Sequence, residues 1–275
     1  MPKPVEKVKI VDPVWDRMRL EAKEMAASEP VLASFIFATV LNHDRLEEVL
    51  SFHLARKLSS AEVSAMVLRE VFEDAFEADP SIIDAFRADT MAVFDRDPAC
   101  DAYLQPLLFF KGFNSIQAHR IAHWLWHEDR KAMALFIQSR VSELYAVDIH
   151  PAARIGKAIM MDHATGVVVG ETAVIGDDVS MLHGVTLGGT GKEIGDRHPK
   201  VGRGVLLGAD SKIIGNITVG DCARVASGSV VLADVPANCT VAGVPAKVVG
   251  CAGCPEPSRA MNQIIKDEDM DDAAE

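Results

Sequence analysis

From Val147 onward, aliphatic residues recur at every sixth position, and this period constrains the fold more than any other feature of the 275 residues. The runs are Ile149, Ile155 and Met161; then Val169, Ile175, Met181 and Leu187; then Val201, Leu207, Ile213, Val219, Val225 and Val231. Glycine follows the aliphatic residue at 156, 170, 176, 188, 202, 208 and 220. An α-helix repeats every 3.6 residues and a strand every two, so neither alone produces this period. A coil of short strands joined by corners does. With three strands per turn, each aliphatic side chain points to the axis and stacks on its equivalent three hexads later, while the small neighbour lets the backbone bend. One turn buries little, so turns must stack, and the run is long enough for about five.

The period slips twice. The step is eight between Met161 and Val169, around Asp162-His163-Ala164-Thr165-Gly166, and fourteen between Leu187 and Val201. The second slip holds the polar run Gly188-Gly189-Thr190-Gly191-Lys192-Glu193-Ile194-Gly195-Asp196-Arg197-His198-Pro199, which cannot pack on an axis and must project. Each slip carries a charged residue beside a histidine. Loops that project from a rigid scaffold are where chemistry concentrates.

Before Val147 the apolar spacing is three and four, as in Val31, Leu32, Phe35 and Ile36 or Ile116, Ile121, Trp124 and Leu125, which reads as helices. Asp79-Pro80-Ser81 and Asp97-Pro98 mark helix boundaries. Gly112 is the only glycine before Gly156. The expected organisation is therefore α+β: a helical domain over 1–146, a parallel β-helix over 147–250, and a flexible acidic tail over 251–275. A net charge of −12 argues against a nucleic-acid partner. No signal-peptide core or membrane-length apolar run is present, so a cytoplasmic protein is expected. Five cysteines, Cys100, Cys222, Cys239, Cys251 and Cys254, are an odd number in a chain too large to need stapling, and reduced thiols are expected. The Cys251/Cys254 pair has no second pair to complete a zinc site.

Longer motifs carry a resemblance. Val147-Asp148-Ile149-His150-Pro151-Ala152, Met161-Asp162-His163-Ala164-Thr165-Gly166, Gly170-Glu171-Thr172-Ala173, Val185-Thr186-Leu187-Gly188-Gly189-Thr190-Gly191, Asp196-Arg197-His198-Pro199-Lys200 and Ala242-Gly243-Val244-Pro245-Ala246-Lys247 resemble the serine acetyltransferase signature. So do Glu29-Pro30-Val31-Leu32, Lys57-Leu58-Ser59, Arg96-Asp97-Pro98-Ala99 and Arg120-Ile121-Ala122-His123-Trp124-Leu125 in the helical half. Hexads alone are common to many acyltransferases; the helical half makes this resemblance specific. It implies left-handed coils, opposite to the usual hand of parallel crossovers. It also implies acetyl transfer from acetyl-CoA to the L-serine hydroxyl, the first step from serine towards cysteine.

The resemblance assigns roles that the chemistry explains. A serine hydroxyl needs a base as it attacks, and imidazole suits that at neutral pH. His163 is the general base and Asp148 the carboxylate that fixes its tautomer. Free serine carries an ammonium, for Asp97 and Asp162, and a carboxylate, for Arg197 and His198. Gly189, Thr190, Ala209 and Ser227 would line the pantetheine arm of acetyl-CoA, with Arg224 and Lys247 near its phosphates. The resemblance further implies feedback inhibition by L-cysteine, a groove shared between copies of a homotrimer, and two trimers paired into a hexamer through the helices. In the family a terminal isoleucine binds O-acetylserine sulfhydrylase. Here Ile264 and Ile265 are internal and the sequence closes on Ala274-Glu275, so the usual anchor for that partner is missing.

Other readings stay open on the residues alone. A hexapeptide acyltransferase for a sugar or antibiotic hydroxyl would share the coil and the base but not need Asp97. A zinc hydratase would need three histidines, for which His163, His183 and His198 are available. A scaffold that chiefly binds a partner is a third. His150 reads as a coil corner, and His119, His123 and His127 as one face of a helix; no metal is expected.

Overall fold

The computed structural model describes residues 12–191, 194–251 and 254–264. Eight helices come first: α1 (Pro13–Ser28), α2 (Ala33–Ile36, running into a π turn over Phe37–Leu41), α3 (Leu46–Leu58), α4 (Ala65–Ala78), α5 (Ser81–Arg96), α6 (Leu104–Phe109), α7 (Lys111–His127) and α8 (Lys131–Tyr145). Their starts follow local chemistry. Asp12 accepts from the Trp15 amide, Ser64 from Val67 and Asp79 from Ser81, each satisfying an amide that a helix start leaves without a partner. Leu50, Leu54, Leu68, Phe72, Phe86 and Leu104 fill the helical core with no exposed surface.

At Val147 the chain enters a parallel β-solenoid of three sheets with five, four and six strands. The six-residue period is the stacking register. Ile149, Val169, Leu187, Ile213 and Val231 pair up the first sheet. Ile155, Ile175, Val201 and Val219 pair up the second, and Met161, Met181, Leu207, Val225 and Val241 up the third. A bridge from Val219 to Val235 completes the fifth turn. Both slips fall at corners between sheets while the axial residues stay in register.

The helices are fixed to the solenoid by buried charge. Asp89, fully buried, receives the Arg120 guanidinium at 2.7 Å, the Gln117 amide at 2.9 Å and the Ile159 amide at 2.9 Å; Arg120 also donates to the Gly156 carbonyl at 2.8 Å. Arg96, at the end of α5, donates to Asp178, Ser180 and the Ala158 carbonyl, each at 3.1 Å. Its neighbour Asp97 is thereby set against the solenoid wall. Among the described residues no helix is long and apolar enough to cross a membrane.

Two expectations are corrected. The cysteines are not all reduced: Cys239 and Cys251 form a disulfide, with Cys100, Cys222 and Cys254 free. The chain turns back after Gly243, so the strand Ala246–Cys251 runs antiparallel to Cys239–Gly243 and places the two cysteines opposite each other, a register that counting cysteines cannot reveal. Nor does the tail trail off at residue 251. A short helix, α9 (Pro257–Ala260), docks with Ser258 buried and its carbonyl accepting from Ser180 at 2.8 Å. The acidic run from Lys266 to Glu275, expected to be flexible, lies outside the described residues.

Candidate active site

The eight-residue slip forms the corner between the third and first sheets, and it adopts a costly backbone. His163 and Ala164 are successive non-glycine residues at positive φ, 57° and 59°. Ala164 points inward and is fully buried, while the His163 imidazole stands out, 71% exposed. Asp162 lies beside it, with Oδ2 3.5 Å from His163 Nε2. The ring of His183, one coil on, is 6.0 Å from that of His163. A cavity of about 460 Å³ opens here between the halves of the chain. Its walls include Asp97 at the end of α5, Phe110, Lys111 and Phe113 at the start of α7, and Met160 to His163. The structure thus brings together Asp97, Asp162 and His163, two carboxylates and one imidazole.

Arg197 and His198 gather elsewhere, at the corner between the first and second sheets. Thr172 organises this group: its hydroxyl accepts from the Arg197 and His198 amides at 3.0 and 3.1 Å, and its amide donates to His198 Nδ1 at 3.2 Å. Nδ1 is therefore the acceptor, and in the neutral ring Nε2 carries the proton. Glu171 pairs with Arg197 at 2.7 Å. That hydrogen bond, followed by the guanidinium charge, holds the Glu171 carboxyl below its ordinary range. His198 is pushed below the usual imidazole value by burial and then by Arg197. Gly170 is required by close approach: a Cβ there would meet the His198 ring at 2.0 Å. His150 sits at the same corner, its pKa lowered by burial against the opposing pull of Glu171 and Asp148. Asp148 accepts from Gln138 at 2.6 Å. Within one chain it belongs to this second group, and the carboxylate beside His163 is Asp162.

The remaining expected residues divide in the same way. Gly189 adjoins His198, and Thr190 follows it in the projecting loop. Ala209 and Ser227 lie at the His163 corner of later coils. Arg224 donates to Thr240 and to the carbonyls of Asn262 and Ile264, each at 3.1 Å, and Ser227 donates to Gln263 at 3.1 Å. Lys247 stands on the terminal hairpin, opposite Ala242. Of the helix-face histidines, His119 is buried and pushed well below its ordinary pKa by desolvation, and His123 bonds the Pro151 carbonyl at 2.8 Å.

Glu171, Thr172 and Lys111 contact the expected residues or the His163 turn and were not singled out from the sequence. The first two lay inside a recognised motif, and an acid one coil before Arg197 was a usable signal. Lys111 had a subtler one, adjacency to the only glycine of the helical half.

Comparison with known proteins identifies the family. The family model "Serine acetyltransferase, N-terminal" matches residues 14–118, and "Bacterial transferase hexapeptide (six repeats)" matches 198–233. The serine acetyltransferase of Salmonella typhimurium is 54% identical over 260 residues, 94% of each chain. The chain belongs to the serine acetyltransferase family. It is an acyltransferase, with a helical N-terminal region and a hexapeptide-repeat solenoid. The family's solved structures superpose closely: that from Vibrio cholerae has a TM-score of 0.90 at 55% identity, covering 91% of this chain and 97% of its own. Other solved serine acetyltransferases carry ligands: one is in complex with cysteine (TM-score 0.90, 53% identity, 92% and 98% covered) and one from Brucella abortus holds coenzyme A (0.87, 54%, 89% and 98%). One from Neisseria gonorrhoeae is in complex with serine (0.84, 52%, 87% and 98%).

Proposed function

We propose that the chain transfers the acetyl group of acetyl-CoA directly to the hydroxyl of L-serine, with His163 as general base. The observation that carries this reading is the single cavity that joins an exposed imidazole to two carboxylates from different halves of the chain, Asp162 and Asp97. Serine enters with its ammonium between those acids. His163 removes the hydroxyl proton as the oxygen attacks the thioester carbon, and the tetrahedral oxyanion collapses with cleavage of the carbon–sulfur bond. The imidazolium returns the proton to the departing thiolate, so no acyl-enzyme forms.

The serine carboxylate would be taken by Arg197 and His198, and Asp148 would steady the imidazolium. These three stand at a different corner of the prism from His163. A second copy presenting that corner to the first copy's cavity completes the site, which favours a trimer. Pairing of trimers into a hexamer falls to the exposed helical surface. Acetyl-CoA in the same groove would pass Gly189 and Thr190 of one copy and Ala209 and Ser227 of the other, with Arg224 and Lys247 towards its phosphates. The coenzyme A complex of the Brucella relative supports that co-substrate, and the cysteine complex supports inhibition by L-cysteine in the serine pocket.

The test is acetyl-CoA-dependent thiol release with L-serine, with D-serine, a galactoside and chloramphenicol as competing acceptors. Turnover confined to L-serine and reduced about 10²- to 10⁴-fold in His163→Ala supports the reading. Turnover of another acceptor, or a fully active variant, overturns it.

A further inference from the structure

Within one chain the His163 side chain is 71% exposed, with Asp162 at 3.5 Å and the His183 ring 6.0 Å away as neighbours among the described residues. Where the ring starts from is set by the backbone, which is in the left-handed region at two successive residues. Such a conformation persists only where the surroundings enforce it. Two contacts from the start of α7 do so. Gly112 seats the helix on the turn from within: a Cβ there would lie 2.2 Å from the Met161 carbonyl oxygen and 3.0 Å from the Ala164 Cβ. From without, the Lys111 ammonium donates to the hydroxyl of Thr165, two residues after His163. Thr165 is held in turn by the next coil, its carbonyl accepting from the Gly184 amide at 2.8 Å.

We infer that Lys111 and Thr165 are a positioning pair for the acetyl transfer, fixing the turn that aims His163 into the cavity. Neither residue needs to touch substrate. Their effect falls on the alignment of imidazole and hydroxyl in the transition state, and so on kcat rather than on binding. This inference rests on His163 being the base.

The experiment uses the full chain and four variants, Lys111→Met, Thr165→Val, Thr165→Ser and His163→Ala, with kcat, both KM values and the thermal midpoint measured for each. Lys111→Met and Thr165→Val are expected to lose about tenfold or more in kcat, since displacement of a reacting group by 1 Å is enough for such losses. Both KM values and the midpoint stay near wild type, and Thr165→Ser, which keeps the hydroxyl, recovers most of the rate. Wild-type kcat in both variants overturns the inference, as does a serine variant as slow as the valine one. A raised KM for L-serine at unchanged kcat places Lys111 on the substrate instead and also overturns it. His163→Ala separates the two levels: if it remains active the base assignment falls, whereas an inactive His163→Ala beside a silent Lys111 and Thr165 removes only the positioning pair.

Discussion

Substitution of Gly170 by alanine should damage the site through a ring that the new methyl never replaces. Gly170 is not at positive φ, so alanine meets no backbone penalty and the whole effect passes through His198. The added Cβ would lie 2.0 Å from both Cδ2 and Nε2 of that ring. Non-bonded carbons rest about 3.5 Å apart, so the ring must retreat by roughly 1.5 Å. That is more than the Thr172 contacts to Nδ1 tolerate, since they already stand at 2.9 and 3.2 Å. Losing them, with the overpacking itself, should cost about 2 kcal/mol of stability. With His198 holding the serine carboxylate as proposed, misplacement on this scale should lower kcat/KM for L-serine by about a hundredfold. Steady-state thiol release against L-serine concentration reads the second quantity and denaturant unfolding the first. A variant within twofold of wild type in kcat/KM would refute both the close approach and the role of His198 in holding serine.

Two further outcomes follow from groups away from the cavity. His53 is buried in α3, and desolvation, helped by Lys57 and Arg56, pushes its pKa from 6.5 down to about 4. The unfolded chain then takes up a proton that the folded one refuses, so stability is intact above pH 6.5 and lost as pH falls towards 4; by pH 5 wild type should lose about 2 kcal/mol more than His53→Gln. Unfolding curves at pH 7 and 5 test this, and equal losses in the two proteins would contradict it. For the thiols, alkylation in denaturant before and after reduction, read by peptide mass spectrometry, should label Cys100, Cys222 and Cys254 first and Cys239 and Cys251 only after reductant. Immediate labelling of all five would disprove the disulfide.

The sequence alone determined the solenoid, because its six-residue period is a direct projection of axial packing: every aliphatic residue placed by counting, from Ile149 to Val231, stacks in the expected register. It also located the irregular corners, since a polar slip in an apolar period can only be a loop, and both loops carry residues expected at the site. Three matters were decided in three dimensions. One is the placement of the expected site residues, which depends on where in the turn each slip falls and separates Asp148, Arg197 and His198 from His163 within one chain. Another is the seating of α7 on the His163 turn through Gly112 and Lys111, a contact between residues some fifty positions apart that no local pattern encodes. The last is the stretch from Cys239 to Ala260, part of which composition suggested was a loose tail. There a reversed strand pairs two cysteines, and Ser258 finds a buried partner in Ser180. Periodicity reports what repeats along the chain; pairings between non-repeating segments follow from shape and must be seen in the fold.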